Sequence, residues 1–527
     1  MYSPQSMMLL VFRCLLLYLF IQVSGGVASA QTQSIAVPWS GHGHDAQHTA
    51  LSRVASRPLQ RILWQTPVDL APQYSGGKLY AHYGSALVTA QNTVIIPVKT
   101  GAADGFRVEA RSAADGALKW MQTTDYTLPW PHNWVPHYCI ALTPKNRVFY
   151  AGAGGTVYYR DAPDSAGVPV GSTGQLAFYG LANYTATQAT FDASVKICTP
   201  ITSDRYGNIY FGFLVSGTVT LSGNVPLLSG IARIAEDGTG SWVSASTAAD
   251  DVTMTKLPLN QAPALSNDHR TLYMAVSSPT LPGGTLVALD SRTLATINKV
   301  RLKDVLNPSA YAQLPNDGTA SPMVGPDDDV YLGVGENSPT GNHYRGWLLH
   351  FEKHLIPPTT PNAPGAFGWD HTPSVVPASL VPSYTGTSEY LLLSKYNHYA
   401  FLGDGVNKMA VLDPNDTMTD PVTGTQVMKE ILTIAGPTPD WEYPGHPTAV
   451  REWCVNTVVV DPFTHSVIVP NEDGKVYRWN LHTNTLSETL TLPTAIGQAY
   501  TPTVIGVDGT IYVISDAKLF AVGEAAP

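Results

Sequence analysis

Three cysteines, Cys139, Cys198 and Cys454, stand at the start of short apolar runs, and two positions before each lies an ionisable side chain: His137, Lys196 and Glu452. Alternate residues of a strand share a face, so each pair points the same way. Gln261, His371 and Tyr500 hold the cysteine position in other runs. Facing one axis, such His, Cys, Lys, Glu, Gln and Tyr side chains form the convergent polar cluster that a ligand site needs. Packing explains the same positions, because cysteine is a small and readily buried side chain. A disulfide between Cys139 and Cys198 is the third reading, and it leaves Cys454 as a lone thiol.

A second constellation is His42, His44 and His48 with Asp45, in Trp39-Ser-Gly-His-Gly-His-Asp-Ala-Gln-His48. Imidazoles and a carboxylate at this spacing can converge on zinc or copper, although His and Asp also serve turns and capping. A third is aromatic: Trp130, Trp134 and Tyr138, then Trp369, then Trp441 and Tyr443, each group shortly before one of the apolar runs. Such a rim can stack sugars, quinones or peptides, or simply anchor loops. Asp327-Asp-Asp329 occupies a turn, where Asp is favoured for backbone hydrogen bonds. Asn183-Tyr-Thr and Asn415-Asp-Thr are glycosylation sequons.

The elements that must carry these residues repeat along the chain. Tyr500 to Val522 reads as two β-rich runs around Asp508-Gly509, followed by a third after Ser515 to Lys518. Asp-Gly between such runs signals a hairpin, since glycine adopts positive φ at no steric cost. Cys198 to Tyr210, Gln261 to Tyr273 and Ala320 to Tyr331 repeat the order of small residue, proline, apolar run, turn and tyrosine; looser copies begin near Ser85, Cys139, His371 and Cys454. Eight units at intervals of roughly 45 to 85 residues fit propeller blades with loop insertions. We therefore expect an all-β fold, a single β-propeller of four-stranded antiparallel blades, eight by count with seven open if one unit is an insertion. Arg61 to Val68 is a strand without a partner of its own, and the last unit lacks a fourth strand. Pairing the two closes the ring and removes both sheet edges.

Composition agrees. The 527 residues are only 13% charged, with 45 Gly and 41 Pro, and no long stretch shows helical apolar periodicity. Arg13, the run Cys14 to Val23 and Ala28-Ser29-Ala30 read as a cleaved secretory leader, so the expected organisation is 1–30 signal peptide, 31–61 irregular segment and 62–527 propeller. Without Arg13, 29 basic residues face 40 acidic ones, a net charge of about −11. That balance, with no Lys/Arg cluster, excludes nucleic acid as a partner and argues against anionic lipid. A secreted or periplasmic monomer is expected.

Val108-Glu-Ala-Arg-Ser-Ala-Ala-Asp-Gly-Ala-Leu-Lys-Trp120 resembles the blade motif of the PQQ-like (pyrroloquinoline quinone-type) repeat family, in which a strand, an Asp/Gly turn and a strand ending in Trp recur. Gly284 to Asp290, Met409 to Asp413 and Val476 to Asn480 resemble its third strand, and Gly43-His-Asp-Ala-Gln-His-Thr49 resembles the stretch before the first blade of secreted bacterial members. The resemblance implies one of two roles. Quinoprotein dehydrogenases of the family bind PQQ with calcium on the propeller axis, where His137, Lys196, His371 and Glu452 would face an anionic cofactor here. Other members are scaffolds that bind partners through rim loops. This chain has neither an adjacent cysteine pair nor a Cys-x-x-Cys-His haem motif. The first expectation is accordingly a non-catalytic module without cofactor, recognising a protein, peptide or glycan; the alternative is a PQQ- and calcium-dependent oxidoreductase. A rim hydrolase pairing His137 with Glu452 is a third possibility. Fold alone does not choose among them.

Overall fold

The structure, a computed structural model, describes residues 36–524 apart from 76–77, 80–83, 103, 129–139, 169–171, 315–319, 339, 357–361 and 494–501. Eight antiparallel sheets follow one another along the chain as the blades of a propeller. Blades 1 to 7 take their strands in sequence order. Blade 8 pairs Lys518–Gly523 with Arg61–Pro67, placing Trp64 opposite Ala521. The expected closure is the one found, and it settles the blade count at eight.

Two blades depart from four simple strands. In blade 3 the inner strand is split into Val195–Ile197 and Thr202–Ser203, both paired with Ile209–Val215. The break follows Cys198-Thr-Pro, where proline removes a ladder donor. Blade 5 has three described strands, and Gly365 supplies only an isolated bridge to Leu348.

Blade-end tryptophans join blade 8 to blade 1 and blade 1 to blade 2. Trp64 donates its indole N–H to Ala113 O at 2.8 Å, and Trp120 donates to Pro163 O at 2.7 Å. Gly116 takes φ +71°, and a Cβ there would come within 2.7 Å of the Trp64 ring. The Asp-Gly turn of the repeat thus exists partly to let the neighbouring indole lie flat against it. Continuous apolar cores run between the blades, and strands such as Thr271–Ser277 and Tyr390–Tyr396 are buried along their whole length.

The segment expected to be irregular circles the axis. Its backbone bonds in order to blades 1, 2, 4, 5, 6, 7 and 8. Trp39 pairs with Val88, Ser40 O accepts from Leu142, Ala46 O from Leu265, Gln47 O from Val324, Thr49 O from Val375 and Ala50 O from Val460, and Arg57 N donates to Gly509 O. Inner strands crowd the axis and leave one free edge each; a single extended segment satisfies those backbone groups in turn. Asp45 holds the segment's own shape, accepting from the backbone N of Gln47 and Thr49 and from Thr49 Oγ1. This end of the axis is therefore stopped by chain. The loops that lead into the inner strands lie at the other end.

The expected metal constellation is corrected by the same geometry. His48 Nδ1 bonds to Pro322 O at 2.7 Å, His44 Nδ1 lies 3.3 Å from Asp45, and the His42 and His48 rings meet edge to face at 5.1 Å. No group of three His, Cys, Asp or Glu among the described residues is arranged to hold a metal. Burial pushes His48 down to about 4, against the pull of its carbonyl partner. These histidines pack the stopper.

Candidate functional site at the open end of the axis

Blades 6 and 7 place the richest set of polar side chains at the open end. Blade 6 begins with Ser374–Pro377, and the preceding loop carries Trp369, Asp370 and His371. Its second strand, Tyr390–Tyr396, ends with Lys395, followed by Asn397 and Tyr399. The antiparallel turn of the chain brings these two ends together, four residues upstream of where the stopper touches Val375.

Lys395 Nζ lies 2.7 Å from Asp370 Oδ2, with 1% and 4% of the two side chains exposed. The same ammonium sits 5.5 Å above the Phe367 ring. An ion pair so deeply buried gains little net stability, since desolvation offsets attraction. His371 Nε2 accepts from the Lys395 backbone N–H at 3.1 Å, so the ring is neutral. Burial, and then the Lys395 charge, push its pKa down to about 3. His371 therefore cannot serve as a cationic clamp for an anionic cofactor.

Blade 7 contributes the other side. The Asn397 amide brackets the Trp453 backbone, and Asn456 Nδ2 reaches Asp370 O at 3.5 Å. Glu452 is half-buried there. Tyr399 is buried, its hydroxyl accepts from Trp369 Nε1 at 3.3 Å, and its pKa is driven well up by burial and then by the charges of Asp370 and Glu452. Both carboxylates therefore lie within electrostatic reach of one hydroxyl. Arg451 is wholly buried between Asp440, Glu442 and Glu472 at 2.8 to 2.9 Å, with its guanidinium 4.4 Å over Trp441. It ties the loop before blade 7 to the mouth. The long stretch between the third strand of blade 6 and blade 7 is thus partly a hairpin, Lys408–Thr419 with Gln426–Ala435, and partly this pinned loop.

The residues singled out in the sequence are only partly brought together. His371 and Glu452 belong to this region. Lys196 stands apart on blade 3, its ammonium bonded to Thr127 and to Asp192 O, its pKa lowered by burial. Gln261 bonds across to Ala320 O and to the Ala275 backbone, tying blades rather than facing a ligand. Cys198 is a buried free thiol, and Cys139, the partner considered for it, lies outside the described residues, as do His137, Tyr500, Trp130, Trp134 and Tyr138. Of the aromatic rim, Trp369 is half-buried against Tyr399, Trp441 is exposed, and Tyr443 meets the His446 ring edge-on. The Asp327-Asp-Asp329 turn is engaged with Tyr390, Lys353 and His350 respectively.

Sequence reasoning missed Asp370, Lys395 and Asn397. One signal was available. Lys395 interrupts Tyr390-Leu-Leu-Leu-Ser-Lys-Tyr396, an apolar run long enough to be buried on both faces, and a lysine there requires a partner.

No family model matches the sequence, and no curated protein sequence matches it. Solved structures do. A europium-containing methanol dehydrogenase aligns over 91% of this chain and 89% of its own, with TM-score 0.54 and 11% identity. The quinohemoprotein alcohol dehydrogenase of Comamonas testosteroni aligns over 94% and 82%, with TM-score 0.53 and 12% identity. A quinohemoprotein alcohol dehydrogenase of Pseudomonas putida HK5 aligns over 93% and 76%, with TM-score 0.51 and 12% identity. At such identity the likeness is one of fold, and it is the fold that the repeat motif implied. It also corrects the expectation of a cofactor-free chain: the proteins that align over 91–94% of this chain are named for a bound metal or for quinone and haem.

Donor chemistry tests whether such a group suits these residues. A planar, anionic quinone needs a buried cation and flat aromatic surface, and Lys395 with Phe367, Trp369 and Tyr399 offers both. A hard cation takes oxygen ligands. Asp370, Glu452 and the amides of Asn397 and Asn456 are of that kind. Among the described residues no three acidic, histidine or cysteine side chains converge, so amide, backbone or cofactor oxygens would complete its shell.

Proposed function

We propose that this chain is a quinoprotein-type oxidoreductase that oxidises an alcohol at the open end of the propeller axis. The single observation that supports this most is the buried Asp370–Lys395 pair at 2.7 Å, set at that end beside the aromatic side chains. Lys99–Asp69 and Arg345–Asp420 are buried to the same degree, so it is the place of this pair, beside Phe367, Trp369 and Tyr399, that supports the reading.

In this reading a bound quinone supplies the acceptor for two electrons and two protons as the alcohol becomes a carbonyl compound. Asp370 takes the hydroxyl proton as the C–H bond breaks, the role of a positioned general base. Lys395 holds that carboxylate at a fixed angle through its 2.7 Å contact. His371, neutral and bonded to the Lys395 backbone, fixes the strand end that carries the ammonium. Asn456 holds the Asp370 backbone, and Phe367, Trp369 and Tyr399 exclude water.

Titration with PQQ in the presence of calcium or lanthanum, followed by native mass spectrometry and dye-linked oxidation of a panel of alcohols, tests the proposal. Stoichiometric uptake with turnover supports it. Failure to bind PQQ with either cation overturns it.

A further inference from the structure

Five aromatic rings run without a gap from solvent to the Asp370–Lys395 pair. Phe401 and Tyr344 are 51% and 44% exposed and meet at 5.7 Å. Phe401 stacks on the buried Tyr399 at 5.4 Å and 20°. Tyr344 meets Trp369 edge-on at 6.5 Å, and Trp369 bonds to the Tyr399 hydroxyl. Tyr399 lies 6.3 Å from Phe367, over which the Lys395 ammonium sits.

One of the outer rings is held in place at a cost. Tyr344 has φ +64°, a left-handed backbone that a side chain of this size adopts under strain. The buried Glu336 carboxylate enforces it, accepting from the backbone N–H groups of Asn342 at 3.2 Å, Tyr344 at 2.8 Å and Gly346 at 2.6 Å. Exposed aromatic surface kept in a strained conformation at the mouth of a site signals a ligand.

The charge around the rings is negative. Asp404 is exposed near Phe401, with His398 at 3.2 Å, and Glu452 lies beside Tyr399. Arg451 is engaged by three carboxylates and Arg345 by Asp420, so neither offsets them; Lys408, which also acts on His398, does so in part.

We infer that Tyr344 and Phe401 form the outer wall of the substrate site and that the substrate is a ring-bearing alcohol, neutral or cationic. This rests on the oxidoreductase reading for its location, but not for its readout. The ring lies against Phe401 and Tyr344 through face and edge contacts, at the solvent end of the row of rings that leads to the Asp370–Lys395 pair. A carboxylate on the ring is repelled, and an ammonium gains both from the acidic groups and from the ring faces.

Ligand-observed NMR titrations of the intact protein with benzyl alcohol, 4-(aminomethyl)benzyl alcohol, 4-carboxybenzyl alcohol and ethanol test this, with Phe401→Ala and Tyr344→Ala as variants. Expected are binding of the first two, at least tenfold weaker binding of the carboxylate, and a loss of about fivefold to tenfold in each variant, the measure of one aromatic contact. Circular dichroism verifies that both variants are folded. In the PQQ-loaded protein the same variants raise KM for benzyl alcohol by that factor and KM for ethanol by less. Binding without turnover sinks the oxidoreductase reading and leaves the ring site standing. Equal binding of the carboxylate, or unchanged affinity in both variants, overturns the ring site itself.

Discussion

The Lys395 ammonium and the Asp370 carboxylate meet at 2.7 Å, the first from the end of blade 6's second strand and the second from the loop entering its first. Neither has more than 4% of its side chain exposed. Each leaves the other as an uncompensated buried charge if it is removed, so turnover must be compared on variants verified as folded. Asp370→Asn keeps a polar partner for Lys395 and should lower turnover of the PQQ-loaded protein by about 100-fold or more, the contribution of a general base. Its unfolding midpoint should fall, as should that of Lys395→Met. The latter strands the carboxylate and should cost about 3–5 kcal/mol in urea denaturation. An Asp370→Asn protein with wild-type turnover removes Asp370 from the chemistry.

Acid should loosen the molecule in a defined window. His48 and His371 titrate near 4 and 3 in the folded protein against an ordinary 6.5, because burial penalises their charged forms. The unfolded chain therefore binds more protons between those values, so this contribution is complete above about pH 6.5 and is lost as pH falls through it. With both groups contributing, the slope reaches at most about 2.7 kcal/mol per pH unit. Urea midpoints measured from pH 7.5 to 4.5 should fall accordingly, and His48→Gln should flatten the profile.

Asp45 adds a second, lower window. Burial raises its pKa, but the His44 contact and the Thr49 hydrogen bonds outweigh burial and bring it to about 2 from 3.8. Its contribution is present above about pH 4 and drains below. Asp45→Ala leaves the buried N–H groups of Gln47 and Thr49 without their acceptor and should cost about 1–3 kcal/mol at pH 7. A larger consequence should appear in hydrogen exchange, with inner-strand amides such as Leu265, Val324 and Val375 losing protection together, since the segment carrying Asp45 bonds to all three. Exchange confined to residues 39–52 would show that the stopper does not couple the blades.

At the closing seam, Trp64→Ala removes a nearly buried indole and its bond to Ala113 O, and should destabilise by about 3–5 kcal/mol. Gly116→Ala should destabilise as well, because its φ is +71° and the added Cβ meets the Trp64 ring at 2.7 Å. In the Trp64→Ala background the Gly116→Ala penalty should shrink, leaving only the backbone cost. A double-mutant cycle in guanidinium measures the coupling.

What the sequence determined is the periodic part. Turns such as Asp508-Gly509 and Asp115-Gly116, the β-branched runs between them and the tryptophan at the blade end are local signals, and local backbone preference repeated along the chain was enough to specify four-stranded blades, with the count of eight or seven left to the closed ring. The unpaired strand at Trp64 was equally legible, because an edge without a partner must find one. Tertiary structure decided the rest. His42, His44 and His48 resemble metal ligands along the chain, yet their rings are spent on packing the axis and on Pro322 O. Lys196 and His371 are both expected from the repeat to face the axis, but blade 3 turns one toward Thr127 and Asp192 while blade 6 buries the other against Lys395. Asp370 and Lys395 stand 25 residues apart with no motif between them. Only the antiparallel pairing of two strands sets carboxylate against ammonium, and only the closed ring of blades keeps water away from them.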